Sequence, residues 1–288
     1  MAAPGARTAI LFPGQGSQTS GMAAVTAAQR PDLIEQARAE LGADPFERIG
    51  DGTGFAQPAI FCASLAYWQQ AGSPRGEMVA GHSLGELAAL VAGGALSDEE
   101  GLRLAVVRGR IMEEAAAANP GGMMAVLGGE EEAVRELAAG FELTVANDNA
   151  PGQVVLSGAA EALGEARRQL RADGVKAIRL PVAGAFHSPF MAEAATRFRV
   201  ELDAVGFRRP SLPVYSSTAA EPFGDVRAGL AAALTQPVLW QATLRAMRDA
   251  GAASFREVGP GDVLTGLVRR TLPEVEARSL AEPEAVHA

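Results

Sequence analysis

The sequence predicts an α/β fold: a parallel sheet carrying one smaller inserted unit of different rhythm. Three observations lead there. Short apolar runs alternate with helical stretches through residue 117, and the loops fall at the ends of the runs, as in a parallel sheet. The first run, TAILF at 8–12, passes at once into a glycine-rich loop, PGQGSQTSG. Residues 123–182 then switch to the order β-α-β-β-α-β, the ferredoxin-like unit.

Taken in order, 8–12 reads as a buried strand and 22–41 as a helix. QPAIFCASLAYWQQA at 57–71 reads as a helix apolar on most faces. A strand at MVAG, a turn and a helix over 84–93 follow. Ser97-Asp98-Glu99-Glu100 is a capping box that opens a helix to about 117. In the middle, strands are expected at 123–127, 142–146, 153–157 and 175–182. Helices fall at 130–139 and 160–172, and NDNAPG forms the turn between the central strands. Ser188-Pro189 starts a helix to about 205, with serine as cap and proline in the first turn. Returning strands are expected at 212–216 and 254–258, and helices at 225–234, 237–250 and 261–271. The tail EPEAVHA reads as frayed. The division is therefore 1–121 with 188–288 as the large part, and 122–187 as the insert.

Bulk properties exclude several classes. A chain of 288 residues supports a sizeable core. The net charge of −9 argues against a nucleic-acid or anionic-membrane binder. One cysteine, Cys62, permits no intrachain disulfide and fits a reducing compartment. No apolar run approaches the roughly 20 residues needed to span a bilayer, and the N-terminus has too short an apolar core for a signal peptide. A cytoplasmic protein is expected.

The chemistry starts at VAGHSLGELAAL, residues 79–90. Gly81 and Gly85 flank Ser83 at a strand-to-helix junction, the G-x-S-x-G elbow that exposes a nucleophile. The N–H of Leu84 lies at the helix start, where it can bind an oxyanion. Serine needs a base, and there are three histidines. His287 is in the tail. His82 adjoins Ser83, so their side chains diverge. Elimination leaves His187, in PVAGAFHSPF, just before a helix start that favours a neutral imidazole. Asp148 and Asp173 lie between Ser83 and His187, but in a turn and at a helix end, poor places for a triad acid. A backbone carbonyl is the alternative orienter.

On the helix 98–117, Arg103 and Arg110 have local glutamates and read as solvated pairs. Arg108 has Leu104, Ala105, Ile111 and Met112 as neighbours. An arginine on an apolar stripe needs an anion from elsewhere, a structural carboxylate or that of a substrate, unless it snorkels. The loop Pro13–Gln18 lacks the P-loop and dinucleotide spacings. A backbone N–H from it can instead serve an oxyanion hole.

These residues carry a resemblance. The chain resembles the malonyl-CoA:acyl carrier protein transacylases of fatty acid synthesis and the related acyltransferases of polyketide synthases. The likeness runs through FPGQGSQ at 12–18, QPAIF at 57–61, GHSLGE at 81–86, RGRIM at 108–112, NDNAPGQVVLSG at 147–158, GAFHSPFM at 184–191, PVLW at 237–240 and EVGPGDVLTGL at 257–267. It implies an α/β-hydrolase-like large subdomain with a ferredoxin-like insert. It implies Ser83 as acyl carrier, His187 as base, and Arg108 as partner of the malonyl carboxylate. It points to Gln15 and Leu84 as oxyanion-hole N–H groups. It links Phe186 to selection of malonyl over methylmalonyl, although Gly184 stands where the family's motif has histidine. It places at Ala233, where bacterial relatives often carry glutamine, the backbone carbonyl that orients the histidine. His82 becomes a support of the elbow. No metal or cofactor is implied beyond the coenzyme A thioester, and a monomer is expected. Arg208 and Arg209 are minor candidates for docking an acidic carrier. A polyketide-loading acyltransferase and a serine hydrolase are the rival functions.

Overall fold

The computed structural model describes residues 7–281. The elements in order are β1 (Arg7–Phe12), α1 (Met22–Gln29), α2 (Pro31–Leu41), α3 (Thr53–Gln70), β2 (Met78–Gly81), α4 (Gly85–Ala92) and α5 (Asp98–Ala118). Next come β3 (Gly122–Leu127), α6 (Glu131–Gly140), β4 (Thr144–Ala150), β5 (Gln153–Gly158), α7 (Ala160–Ala172) and β6 (Lys176–Arg179). A 3₁₀ turn (Pro189–Met191) leads into α8 (Ala192–Asp203). The chain closes with β7 (Val214–Ser216), β8 (Glu221–Pro222), α9 (Val226–Ala232), α10 (Trp240–Asp249), β9 (Ala252–Glu257), α11 (Val263–Thr271) and β10 (Glu276–Ser279).

The large sheet runs β10-β9-β1-β2-β7-β8. Its strands are parallel except β8, which folds back on β7. The β1 and β2 strands are covered on both faces and read as continuous apolar runs for that reason. The small sheet is antiparallel with order β4-β5-β3-β6. Counted from its first strand, this is the 4-1-3-2 order of a ferredoxin-like unit, in agreement with the sequence reading.

Several details differ. The expected helix over 22–41 is two helices, broken at Arg30 where Pro31 opens the second. The first long helix begins at Thr53 and keeps Pro58 inside its first turns. Most of the expected turn at 147–152 is strand, because β4 continues through Ala150 with register shifts. Short strands β8 and β10 were not anticipated. The Ser97 hydroxyl accepts from the Glu100 N–H, but Glu100 takes the Ser97 hydroxyl rather than its N–H, so only half of the capping box forms. Arg103 pairs with Glu201 of α8, Glu114 with Arg197, and Glu113 accepts the Gly54 N–H. The local pairing read for this helix is therefore replaced by tertiary contacts. His287 and the tail 282–288 lie outside the described residues. Among the described residues, no helix is long and apolar enough to cross a membrane.

Candidate active site

The elbow is built by what glycine permits. β2 ends at Gly81 and α4 begins at Gly85. A Cβ at Gly81 would run into the backbone of Gly85, and one at Gly85 into the carbonyl of Phe12 at the end of β1. The strand-helix corner therefore closes only with glycine at both places. Ser83, between them, sits at φ 52°, a left-handed conformation that costs a non-glycine residue energy. The hydroxyl is thereby thrown out of the sheet edge.

His187 lies on the far side of the cleft, with its own left-handed backbone, φ 55°. Its Nδ1 is 2.7 Å from the Ala233 carbonyl and 3.3 Å from that of Gln236. Two acceptors at Nδ1 assign the proton there and leave Nε2 as an acceptor. The Ser83 hydroxyl lies 2.8 Å from Nε2 and donates to it. Burial first, then the charge of Arg108 and the neighbouring His82, push the imidazole down to about 3. Among the described residues no carboxylate bonds to the ring, and the Ala233 carbonyl stands where a triad would have its acid.

Arg108, on α5, is 4% exposed. Its Nη1 donates to the Gln57 side chain at 2.8 Å and its Nη2 to Ser83 Oγ at 3.1 Å. Among the described residues no carboxylate forms an ion pair with it. Burial lowers it to about 10, partly offset by Glu86, so the guanidinium stays cationic at neutral pH. A desolvated cation beside the Ser83 hydroxyl can hold an anionic group there.

His82 diverges from Ser83 as expected. Its Nε2 donates to Asn149 Oδ1 at 2.8 Å, and its ring meets Trp240 edge-on. Ser83, His82, His187 and the loop Pro13–Gln18, including Gln15, line a cavity of about 430 Å³. The small sheet supplies the opposite wall through Met123, Asn147, Asn149 and Val155. Leu84 is the N-cap residue of α4. Phe186 is buried and does not line this cavity. A Cβ at Gly184 would come within 2.6 Å of its ring and 2.8 Å of the Ala116 Cβ, so the glycine leaves room for the ring. Asp148 pairs with Arg135 and Gln241 rather than with His187. Asp173 is only the C-cap of α7. Arg208 and Arg209 are exposed at the chain leading into β7, where Arg208 N–H meets the Ala95 carbonyl beyond the end of α4. That is the end of the sheet opposite the elbow. The sequence motifs assign no role to Gln57, Glu86, Asn149 or Gln236. The one visible signal was Glu86, a charge inside an otherwise apolar helix.

A model of the acyl transferase domain family matches residues 44–284. The chain is also 39% identical, over 302 positions and 97% of each chain, to the malonyl CoA-acyl carrier protein transacylase of Escherichia coli strain K12. The chain belongs to the malonyl CoA-acyl carrier protein transacylase family. Within that transacylase family, a solved structure from Xanthomonas oryzae pv. oryzae superposes with a TM-score of 0.89 at 35% identity, covering 96% of this chain and 95% of that one. Polyketide biosynthesis protein ThaF of Burkholderia thailandensis is 41% identical over 96% of this chain, which spans only 25% of that longer protein.

Proposed function

We propose that this acyltransferase moves a malonyl group from malonyl-CoA to the phosphopantetheine thiol of an acyl carrier protein, through a malonyl ester on Ser83, in fatty acid synthesis. The single observation that carries the reading is the buried Arg108 guanidinium, 3.1 Å from the Ser83 hydroxyl and in no ion pair with a carboxylate among the described residues. A plain serine hydrolase has no use for a cation at that place, whereas a malonyl thioester brings a carboxylate to meet it.

The thioester enters the cavity between the two sheets, and its free carboxylate pairs with Arg108. His187 Nε2 takes the Ser83 proton as Oγ attacks the thioester carbonyl. The oxyanion is received by the N–H groups of Gln15 and Leu84. The C–S bond breaks, and the proton passes from His187 to the coenzyme A sulfur. In the second half, the carrier thiol gives its proton to His187 and attacks the ester, and Ser83 recovers its proton. The Ala233 and Gln236 carbonyls hold the imidazole throughout, and Asn149 holds His82 below the elbow. Phe186, buried beside Ala116 of α5 and outside the cavity lining, is taken to act on acyl selection through the packing behind the site. The insert is taken as 122–187 and the enzyme as a cytoplasmic monomer. Identity of 39% to the E. coli transacylase over nearly the whole of both chains supports this reading.

Intact-mass measurement tests it. The protein is mixed with malonyl-CoA, acetyl-CoA and methylmalonyl-CoA, then with carrier protein. A malonyl adduct on Ser83 that moves to the carrier thiol is expected, and free malonate without transfer would sink the proposal. Arg108→Ala removes a buried charged contact worth about 2–4 kcal/mol, roughly 30- to 1,000-fold in acylation by malonyl-CoA. Acylation by acetyl-CoA should fall much less. Equal losses would make the arginine structural.

A further inference from the structure

Glu86 is a carboxylate where burial disfavours one. It sits in the first turn of α4, three residues beyond Ser83, and is 1% exposed. A buried carboxylate persists only where it meets donors. Both of its bonds go to one residue, Ser217, just past the end of β7: the N–H at 2.7 Å and the hydroxyl at 2.9 Å, each to Oε1. Oε2 has no partner. An apolar residue would suit the packing of α4 better; what the acid contributes is its pair of bonds to Ser217 and a charge that acts on Arg108.

Ser217 is in turn the anchor of the chain that carries the acceptors of His187. Its carbonyl accepts the Leu239 N–H at 2.6 Å. Three residues before Leu239 lies Gln236, whose carbonyl, with that of Ala233, receives the His187 Nδ1–H. The Ser83 hydroxyl then donates to Nε2 of the same ring. The path from the elbow helix, through Glu86, Ser217, Leu239 and Gln236 to His187, closes back on Ser83.

We propose that Glu86 is a positioning residue for the Ser83–His187 pair, acting through Ser217 on the segment 233–239 that orients the imidazole. The proposal rests on these two residues working together as nucleophile and base. Its work is done by the acceptor oxygen rather than by the negative charge. Burial, which raises the Glu86 carboxyl to about 7, agrees with a group not required to be ionised.

The test reads dyad reactivity without a natural substrate. A fluorophosphonate labels an activated serine, and its rate on Ser83 is followed by intact mass in the full chain. Glu86→Ala should slow labelling roughly tenfold to a hundredfold, as a displaced base does. It should also alter the pH profile of labelling while far-UV circular dichroism stays native. Glu86→Gln retains the acceptor and should label within about threefold of wild type, since hydrogen bonding is preserved. Ser217→Ala removes one of the two bonds and should fall between them, and it covers the case in which Glu86→Ala does not fold. The proposal is overturned if folded Glu86→Ala labels at the wild-type rate. It is equally overturned if Glu86→Gln is as slow as Glu86→Ala, or if Ser217→Ala is indistinguishable from wild type. Failure of malonyl transfer with fast wild-type labelling would count against the substrate assignment alone.

Discussion

His187 shows how one side chain's surroundings decide its chemistry. Enclosed, facing Arg108 and near His82, it is held down to about 3 against an ordinary 6.5. A base must be unprotonated to act, so acylation of Ser83 should hold its rate as pH falls from 7 to 5. An acid limb centred near 6.5 would refute this. The same shift has a stability consequence. As pH falls below 6.5 the unfolded chain binds a proton at this imidazole, and the folded one does not until about 3. Stability present above 6.5 is therefore lost progressively across that interval. His187→Asn should show a flatter decline in urea midpoint from pH 7 to 5 than wild type. At this scale the sequence revealed residues whose chemistry clashes with their local pattern: a serine between glycines, a histidine left by elimination, an arginine on an apolar stripe. Gln57, Asn149 and Gln236 stayed hidden. Each meets its partner across a long stretch of chain, Gln57 with Arg108 and Asn149 with His82, and an amide or a carbonyl leaves no pattern of its own.

Helix α11 illustrates capping from outside an element. Its N-cap Asp262 makes no side-chain bond. Glu257, the last residue of β9, instead takes the N–H of Leu264 at 3.0 Å, and the N–H and hydroxyl of Thr265 at 2.7 and 2.8 Å. Glu257→Ala leaves those donors buried without an acceptor and should cost about 1–3 kcal/mol in urea unfolding. Burial raises the Glu257 carboxyl from 4.5 to about 7. The folded state thus holds its proton more firmly than the unfolded one. The resulting stability is full below 4.5 and lost as pH rises through 7. Glu257→Gln should therefore gain on wild type between pH 5 and 7.5, and a constant difference would contradict the assignment. The existence and type of most elements were legible because apolar periodicity and caps are local signals. Elements set by distant partners were not. Asn147–Ala150 has the composition of a turn, yet it stays in β4 because the Asp148 N–H donates to the Val238 carbonyl and the Val238 N–H to Ala146. β10 is extended because β9 offers it an edge.

Across the whole molecule, the two sheets do not stand as separable bodies. Val238 is bridged to β4 on both sides by bonds of 2.8 Å, and Gln241 of α10 holds Asp148. Met123, Ala146 and Val155 of the small sheet belong to the same buried cluster as Ile10, Phe12 and Leu87 of the large part. Ala150 packs with Trp240 and Leu244 in a second shared cluster. The site needs this union, since Ser83 comes from one sheet's edge, His187 from the chain returning from the other, and Asn149 reaches across to His82. Unfolding should accordingly be one transition. The two tryptophans, Trp68 and Trp240, both lie in the large part, whereas far-UV circular dichroism reports both sheets. Trp240 itself packs on Ala150, so the comparison is made in Trp240→Phe, where Trp68 alone reports the large part: if the small sheet melted alone, ellipticity would fall before Trp68 emission changed. Coincident urea curves from the two probes are expected. Curves that separate would mean that the bridge at Val238 is too weak to couple the sheets, and that the cavity wall can open while the elbow stays folded.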